Sequence, residues 1–261
     1  INGEFFMQTR EDFSGKCIII SGAAGAVGES LTKHLAQENV KLILADLPQT
    51  IKKLEGMAEE ASLLKSEVFC YGMDICNMED ITAFIEKLEK YNLEVDVLVN
   101  AVGLNYPTSA RFMTEPVWDK VVDTNLKGSY FLTQAVANHS LIKRQGVIVN
   151  ISSRHGIVGN ENRAHYCASK AGVIGMTKAL ACEWAKYKVR VNCVSPTFII
   201  TEKNSSYLNT PYNRQVSMHK IPLGKYALPE DVSNGVIFLA SPKSRMITGH
   251  NLVIDGGYTI I

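Results

Sequence analysis

The chain has 261 residues, 46% of them hydrophobic and 20% charged, and a formal net charge of +1 at pH 7. This composition is typical of a soluble globular protein, and the apolar runs are too short to span a bilayer. Because basic and acidic residues are interleaved, the sequence excludes a basic surface for nucleic acid or for a membrane.

The six cysteines form no C-x-x-C pair and no Cys/His cluster at the spacing of a zinc site. Most of them lie in apolar runs, where a small buried thiol is the simplest interpretation. We therefore expect a reducing, cytoplasmic setting, no metal and no secretion signal. Residues 1–15 are expected to form an N-terminal extension, in which residues 1–6 precede Met7 and are either foreign to the protein or a ragged native end.

Short β-branched runs alternate with longer segments of helical periodicity along the chain. Ile81, Phe84, Ile85 and Leu88, for example, recur at the spacing of one helix face. Continuous apolar strands separated by helices are typical of a parallel sheet that is covered on both faces. The predicted strands are residues 17–20, 40–45, 67–72, 95–100, 146–152, 189–195 and 251–255.

The alternation of strands and helices continues to the C-terminal end without a linker. The sequence therefore predicts one α/β domain over residues 1–261, a Rossmann-type doubly wound parallel sheet of about seven strands with helices on both faces. The least periodic segment, about 196–228, is a candidate substrate lid or a plain surface excursion.

The first predicted strand is followed by the glycine-rich sequence SGAAGAVG at 21–28 and then by an amphipathic helix. Glycines in such a turn let the backbone approach a pyrophosphate, and the helix start presents unpaired N–H groups to it. On its own a glycine-rich turn is often only a tight turn. Its position between strand and helix favours a dinucleotide site.

Asp46 ends the second predicted strand, 18 residues beyond Gly28. A carboxylate at this position accepts hydrogen bonds from both ribose hydroxyls of NAD and repels the 2′-phosphate of NADP. No Arg or Lys occurs within 21–32 or just after Asp46. The sequence therefore predicts NAD and disfavours NADP; the alternative is that Asp46 only begins a turn before Pro48.

Taken together, the ordered motifs resemble those of the short-chain dehydrogenase/reductase family in its compact single-domain branch. The resemblance extends from about Lys16 to Tyr258. The matching segments are SGAAGAVG (21–28), GMDI (72–75), VNAVG (99–103), DTNLKG (123–128), NISSRHG (150–156), HYCASK (165–170), SPTFIIT (195–201) and ITGHNLVIDGG (247–257). Many ordered motifs at compatible spacings are far more specific than any one of them.

The resemblance implies an enzyme that interconverts CH–OH and keto groups with a nicotinamide cofactor. The catalytic residues that it implies are Asn125, Ser153, Tyr166 and Lys170. The cofactor-binding residues that it implies are Ser21, Gly22, Val27, Gly28, Asp46, Asp74, Ile75, Asn100, Val102, Tyr166, Lys170, Pro196, Ile199 and Thr201.

Three residues depart from the family's pattern. Ala26 replaces a glycine of the first turn, Ala101 replaces an asparagine, and Thr197 replaces a glycine in the loop above the nicotinamide. Each replacement is a small residue, so we expect altered cofactor affinity more than lost function.

Tyr166 and Lys170 are four residues apart, which places both on one helix face with Cβ atoms about 5–6 Å apart. The spacing alone does not distinguish a reaction centre from two unrelated residues on a helix surface. In the family's pattern, however, Tyr166 removes the alcohol proton. A free phenol titrates near 10, so a neighbouring cation is needed to lower its pKa.

Ser153 lies 13 residues before Tyr166 and is expected to bind and orient the substrate oxygen. The neighbouring Ser152 would point to the opposite face, and Ser153 is chosen by its match to the family's spacing. Asn125 is expected to hold an ordered water that links Lys170 to solvent. Its alternative role is that of an amide that caps or fills a kink.

Asn105, Arg154 and Arg163 are candidate substrate residues because they lie near the predicted pocket in sequence. Polar donors there favour a sugar, a sugar acid or a polyol; the alternative is that these side chains point to solvent. The leading hypothesis is an NAD-dependent dehydrogenase of such an alcohol or ketone. A 3-oxoacyl-thioester reductase and a non-catalytic dinucleotide-binding sensor or scaffold are the alternatives, and a homotetramer or homodimer is the expected assembly.

Overall fold

Seven parallel strands form one sheet in the computed structural model, which describes residues 13–64 and 66–261. The strands are β1 (Cys17–Ser21), β2 (Lys41–Asp46), β3 (Glu67–Gly72), β4 (Val97–Asn100), β5 (Val147–Ile151), β6 (Arg190–Pro196) and β7 (Asn251–Ile254). Their order across the sheet is β3-β2-β1-β4-β5-β6-β7. All seven predicted strands are confirmed, with ends within two residues of the predicted ones. The predictions for residues 1–12 lie outside the described residues.

The strands are apolar on both faces because helices cover both sides of the sheet. Successive strand residues point in opposite directions, so Ile19 joins the core on one side while Ile18 and Ile20 join the core on the other. All three side chains are at most 1% exposed. Burial of this kind contributes about 1.5–3 kcal/mol per large aliphatic side chain.

The helices divide between the two faces. The α-helices are α1 (Ala26–Leu35), α2 (Ile51–Ser62), α3 (Met78–Lys90), α4 (Glu115–Val122), α5 (Ser129–Val136), α6 (Ile142–Arg144), α7 (Ala164–Trp184), α8 (Glu202–Leu208), α9 (Pro211–Val216) and α10 (Pro229–Ala240). Helices α1, α2 and α10 pack on one face of the sheet, and α3, α5 and α7 pack on the other. This confirms the doubly wound α/β fold predicted from the sequence.

Shorter helical turns join these elements. The 3₁₀ turns are Ala36–Glu38, Pro48–Thr50, Ala110–Phe112, Arg154–Gly156, Ala185–Tyr187, Met218–Lys220, Pro242–Ser244 and Tyr258–Ile260. Wider π-helical segments follow α4 at Asp123–Gly128 and α5 at Ala137–Leu141. At Gly128 an added Cβ would lie 2.7 Å from the Ile75 carbonyl oxygen. The π-helical segment therefore depends on glycine to approach the segment that follows β3.

The segment predicted as a lid contains α8, α9 and the turn at Met218–Lys220. Leu208, Ile221 and Tyr226 form a small core of their own under it. The Tyr226 hydroxyl donates to the carbonyl oxygens of Leu208 and Asn213, both at 3.1 Å. The segment is thus a packed unit beside β6, and its action as a lid stays a prediction. In the described part of the chain, no helix is long and apolar enough to cross a membrane.

Candidate active site

A cavity of about 800 Å³ opens at the carboxyl ends of the strands. The chain winds outward from β1 to β3 and then returns to β4 on the other side of β1, so a crevice forms between β1 and β4. Of the residues predicted to bind the cofactor, Gly22, Asp46, Asp74, Ile75 and Val102 line this larger cavity. Its volume falls within the range of small-molecule sites, about 300–1,000 Å³.

The glycine turn between β1 and α1 forms one wall of the larger cavity. Gly22 has a φ of +75°, and a Cβ there would lie 2.6 Å from the Val102 backbone nitrogen. At Gly28 a Cβ would lie 2.5 Å from the Ala23 carbonyl oxygen, so this glycine lets α1 lie close to the turn; its contact with a cofactor stays a prediction. Gly25 lines the cavity and precedes α1 without a side-chain cap. The first N–H groups of α1 are therefore available to an anionic group.

Asp46 is held at the end of β2 by the backbone of both neighbouring turns. One carboxylate oxygen accepts the Ala24 N–H at 2.9 Å, and the other accepts the Leu47 N–H at 2.7 Å. Lys53, which the sequence argument missed, reaches this wall from α2. Its ammonium donates to the Ala24 carbonyl at 2.6 Å and pairs with Glu29 at 2.8 Å. Its charge is thus already shared with a carboxylate.

Two predicted cofactor residues, Ser21 and Asn100, are buried at the ends of β1 and β4. The Ser21 hydroxyl donates to Asn100 Oδ1 at 3.3 Å. Asn100 Nδ2 donates to Thr133 Oγ1 at 2.7 Å and to Asn150 Oδ1 at 2.8 Å. These contacts place both residues as braces between the strand ends beneath the cavity, and their direct contact with a cofactor stays a prediction.

A smaller cavity of about 250 Å³ adjoins the larger one. The two cavities share Ala101, Val102 and Gly103 as a common wall after β4. The other predicted site residues that line the smaller cavity are Val27, Asn105, Ser153, Tyr166, Lys170, Pro196 and Ile199. The structure therefore brings three of the four predicted catalytic residues together beside the cavity that contains Asp46.

Tyr166 and Lys170 lie on one face of α7, as the spacing predicted. The Lys170 ammonium is 5.9 Å from the centroid of the Tyr166 ring. It donates to the carbonyl oxygen of Ile151, at the end of β5, at 2.8 Å. The lysine is 2% exposed, and burial lowers its pKa from 10.5 to about 8. The side chain is therefore still mostly charged at pH 7.

Burial also raises the pKa of Tyr166, since it disfavours the phenolate. A hydrogen bond with Ser153 and the positive charges of Arg154 and Arg163 act in the opposite direction and lower the pKa of this phenol. A phenol removes a proton only in its ionised form, so proton removal by Tyr166 would become faster as the pH rises through its pKa.

The two neighbouring serines have different partners. The Ser152 hydroxyl donates to the Lys170 carbonyl oxygen at 2.8 Å and is 2% exposed. The Ser153 hydroxyl accepts the His155 N–H at 3.1 Å and interacts with Tyr166. Ser152 therefore helps to hold α7 in place, whereas Ser153 lies beside the phenol of Tyr166.

Asn125 lies in the π-helical segment and is 1% exposed. Its Oδ1 accepts the Leu104 N–H at 2.7 Å, and its Nδ2 donates to the Leu104 carbonyl at 2.9 Å and to Ser169 Oγ at 2.9 Å. The neighbouring Gly103 faces the ammonium of Lys170, which lies 3.4 Å from the position of an added Cβ. Asn125 thus fixes the segment against which Lys170 lies; the predicted water at Asn125 stays a prediction.

The remaining predicted residues lie around the smaller cavity rather than in its wall. Thr201 is the N-cap residue of α8, where its side chain and that of Asn204 form a capping box. Arg163 is the half-buried N-cap residue of α7. Arg154 is 2% exposed and packs between aromatic rings, so it does not point to solvent; its contact with a substrate stays a prediction.

His155 lies beside the site, and the sequence suggested for it only a place among the polar donors near the predicted pocket. Its ring lies 6.2 Å from the Tyr166 ring in an edge-to-face arrangement. Burial and the charge of Arg154 lower the pKa of His155 to about 4, so the imidazole is neutral at pH 7. Its position directly after Ser153 and Arg154 is the only sequence signal that points to it. Among the described residues, no group of three His, Cys, Asp or Glu side chains is arranged to hold a metal ion.

Comparison with known proteins identifies the same type of enzyme. Residues 22–259 match the family model described as enoyl-(acyl carrier protein) reductase. The chain is 38% identical to the 3-oxoacyl-[acyl-carrier-protein] reductase FabG of Thermotoga maritima over 246 residues, which covers 94% of this chain and 98% of the relative. It is 31% identical to the NAD-dependent glycerol dehydrogenase of Listeria innocua over 249 residues, 95% of this chain and 96% of the relative.

A solved structure shares the fold. The short-chain type dehydrogenase/reductase from Mycobacterium marinum is 29% identical in sequence and superposes with a TM-score of 0.87, covering 96% of this chain and 98% of that chain.

Proposed function

The chain belongs to the short-chain dehydrogenase/reductase family, and from that premise we propose that it interconverts a secondary alcohol and a ketone with NAD. Members of this family bind a nicotinamide dinucleotide and act as oxidoreductases on CH–OH and keto groups. The observation that carries the proposal is the convergence of Ser153, Tyr166 and Lys170 around one cavity that shares a wall with the cavity containing Asp46.

Three residues of the smaller cavity have a role in this reaction. Tyr166 takes the hydroxyl proton of the alcohol as its base, and Ser153 holds the same oxygen by a hydrogen bond. Lys170 supplies a buried positive charge on the same helix face, and its bond to the Ile151 carbonyl fixes the position of that charge. The bound cofactor supplies the hydride acceptor, which the protein side chains cannot provide.

The residues of the larger cavity fit a dinucleotide. The start of α1, next to the glycine turn, would hold the pyrophosphate, since its first backbone N–H groups have no side-chain cap. Asp46 would accept the ribose hydroxyls with the lone pairs that its two backbone bonds leave free. A 2′-phosphate would meet this carboxylate, while Lys53, which donates to the Ala24 carbonyl at the same wall, is paired with Glu29. These contacts support NAD as the cofactor.

For the substrate we propose a polyol, a sugar or a sugar acid. Asn105 lines the smaller cavity and Arg163 is half-buried at the start of α7, so hydroxyl or carboxylate groups of a substrate would find donors there. The likeness to the glycerol dehydrogenase supports this class. The higher identity to the FabG reductases supports the second candidate, a 3-oxoacyl thioester reduced at the same site.

One kinetic panel tests both candidates and the cofactor. Glycerol, other polyols and sugar acids are offered with NAD and with NADP, and acetoacetyl thioesters are offered with NADH and with NADPH. We expect oxidation of a hydroxylated substrate with NAD preferred. Turnover of the thioester alone would establish the second candidate, and a preference for NADP would contradict the role given to Asp46. In that panel Asp46→Ser is expected to raise kcat/KM with NADP by about 10-fold or more, since it removes the repelling charge.

A further inference from the structure

Arg154, the residue after Ser153, is a buried cation that lies between aromatic rings. Its guanidinium lies 3.8 Å from the ring centroid of Phe198 and 4.3 Å from that of Tyr258, so it is stacked between two aromatic faces. No ion pair joins it to a carboxylate anywhere in residues 13–64 and 66–261. The nearby Asp255 instead accepts the N–H groups of Gly257 and Thr259 at 2.8 Å each. Burying a charge without an ion pair lowers the stability of the fold, which indicates that Arg154 is retained for a function.

The donors of Arg154 connect two segments of the site. Nη1 donates to Thr197 Oγ1 at 3.0 Å, and Nη2 donates to His155 Nε2 at 3.1 Å. Because a guanidinium only donates, Nε2 of His155 is an acceptor and the imidazole carries its proton on Nδ1. The bond to Thr197 joins the turn after Ser153 to the loop after β6, whose Thr197 and Ile199 line the smaller cavity.

Thr197 stands where the family's pattern has glycine, and glycine has no hydroxyl to accept this bond. The departure at Thr197 and the arginine at 154 therefore form a matched pair in this chain. Phe198, the next residue of the same loop, supplies one of the two rings that stack on the guanidinium. Tyr258, in the C-terminal turn, supplies the other.

We propose that Arg154 is a positioning residue, which holds the loop at 197–199 against the turn that carries Ser153 and supplies a fixed positive charge beside Tyr166. This rests on the proposed function insofar as Tyr166 is taken as the base. Within residues 13–64 and 66–261, the polar and titratable groups around Tyr166 are Ser153, Arg154, His155, Arg163, Cys167 and Lys170. Those around Arg154 are His155, Tyr166, Asp255 and Tyr258. The guanidinium lies near Tyr166, since it donates to His155 at 3.1 Å and the His155 ring lies 6.2 Å from the Tyr166 ring. Arg154 and Arg163 both favour the phenolate, and of the two Arg154 is the more deeply buried.

Three variants separate the charge of Arg154 from its hydrogen bonds. Arg154→Met removes both while it keeps apolar bulk between the rings. Arg154→Lys keeps the charge but loses the planar fork that reaches Thr197 and His155. Thr197→Val keeps the shape of the loop residue and removes only the acceptor. Arg245→Met, at an exposed arginine outside the lining of both cavities, is the control.

The first measurement is the ionisation of Tyr166 in the NAD-bound protein. Phenolate absorbance is titrated with pH for each variant and for the same variant carrying Tyr166→Phe, and the difference isolates Tyr166. Arg154→Met is expected to raise the pKa of Tyr166 by about one unit, the size of a nearby partly screened charge. Arg154→Lys, Thr197→Val and Arg245→Met should leave it within about 0.3 units.

The second measurement is NADH affinity by fluorescence titration. Arg154→Lys and Thr197→Val should each weaken binding by about 3–10-fold, and the double variant should be no weaker than Arg154→Lys alone, because that change already removes the bond to Thr197. An unchanged Tyr166 titration in Arg154→Met, or additive losses of affinity, would overturn the proposal. If Arg154→Met does not fold by circular dichroism, the other two variants still decide the loop contact. Retained turnover in Tyr166→Phe would defeat the proposed function without affecting either of these readouts.

Discussion

Replacing Lys170 by methionine should abolish a pH dependence of stability that the natural protein has. Burial lowers the pKa of Lys170 from 10.5 to about 8. The difference of about 2.5 units, at 1.36 kcal/mol per unit, makes the charged lysine about 3 kcal/mol less favourable in the folded chain than in the unfolded one at pH 7. This penalty is fully present below about pH 8 and is relieved as the pH rises toward 10.5, because the unfolded chain then binds more protons than the folded chain.

Urea unfolding of both proteins at pH 7 and at pH 10 measures this effect. The free energy of unfolding of wild type, relative to Lys170→Met, should rise by about 2–3 kcal/mol between the two pH values. Methionine also leaves the Ile151 carbonyl without its donor, but that cost is present at both pH values and drops out of the difference. Protein concentration is held constant, since association would change apparent stability.

The control is Lys33→Met, at an exposed lysine of α1 that stays in water in both states. Its stability relative to wild type should be the same at the two pH values. If Lys170→Met also shows a constant difference, within about 0.5 kcal/mol, the buried lysine carries no such penalty and the reasoning on the site's electrostatics fails.

Three further variants examine the other residues of the smaller cavity. Tyr166→Phe should lower turnover by about 10³-fold or more with NADH affinity changed less than about 3-fold, because it removes only the ionisable hydroxyl; steady-state rates and fluorescence titration check this. Ser153→Ala should lower kcat/KM by about 10²-fold, whereas Ser152→Ala should chiefly cost about 1 kcal/mol of stability, as it loses one bond to a main-chain carbonyl of α7. Kinetics and urea unfolding of both serine variants would show the opposite pattern if their roles were exchanged. Asn125→Ala should cost about 2–4 kcal/mol in urea unfolding, since it leaves both backbone groups of Leu104 without their partner; an unchanged midpoint would argue against this clamp.

The fold could be predicted because the strand signal is local. Runs such as Ile18–Ile20 are apolar at every position, and only a sheet covered on both faces buries all of them. The start of β4 shows the limit of that signal. Residues 95–96 were included in the predicted strand, but the Asp96 carboxylate accepts the Cys17 N–H at 2.9 Å and pairs with Arg144 at 2.8 Å. A hydrophobic pattern does not show that a carboxylate will accept the backbone N–H of a neighbouring strand.

The site was predictable where it depends on spacing within one element. Tyr166 and Lys170 share a face of α7 because helix geometry places residues four apart together. Contacts between distant segments were not predictable. Lys53 reaches the Ala24 carbonyl across 29 positions of sequence, and Arg154 reaches Thr197 across 43. Both contacts are set by how α2 and the loop after β6 pack on the sheet, which no local pattern specifies.

The electrostatics of the cavity follow from burial more than from the spacing of Tyr166 and Lys170. Burial raises the pKa of the phenol and lowers that of the ammonium, so it moves both groups toward their neutral forms. The ammonium also donates to the Ile151 carbonyl, and the cations that lower the pKa of the phenol are Arg154 and Arg163. A base that works near neutral pH therefore needs more positive charge than Lys170 alone provides. The positive ring of an oxidised cofactor would add such charge only when bound, which ties the readiness of Tyr166 to the presence of the cofactor.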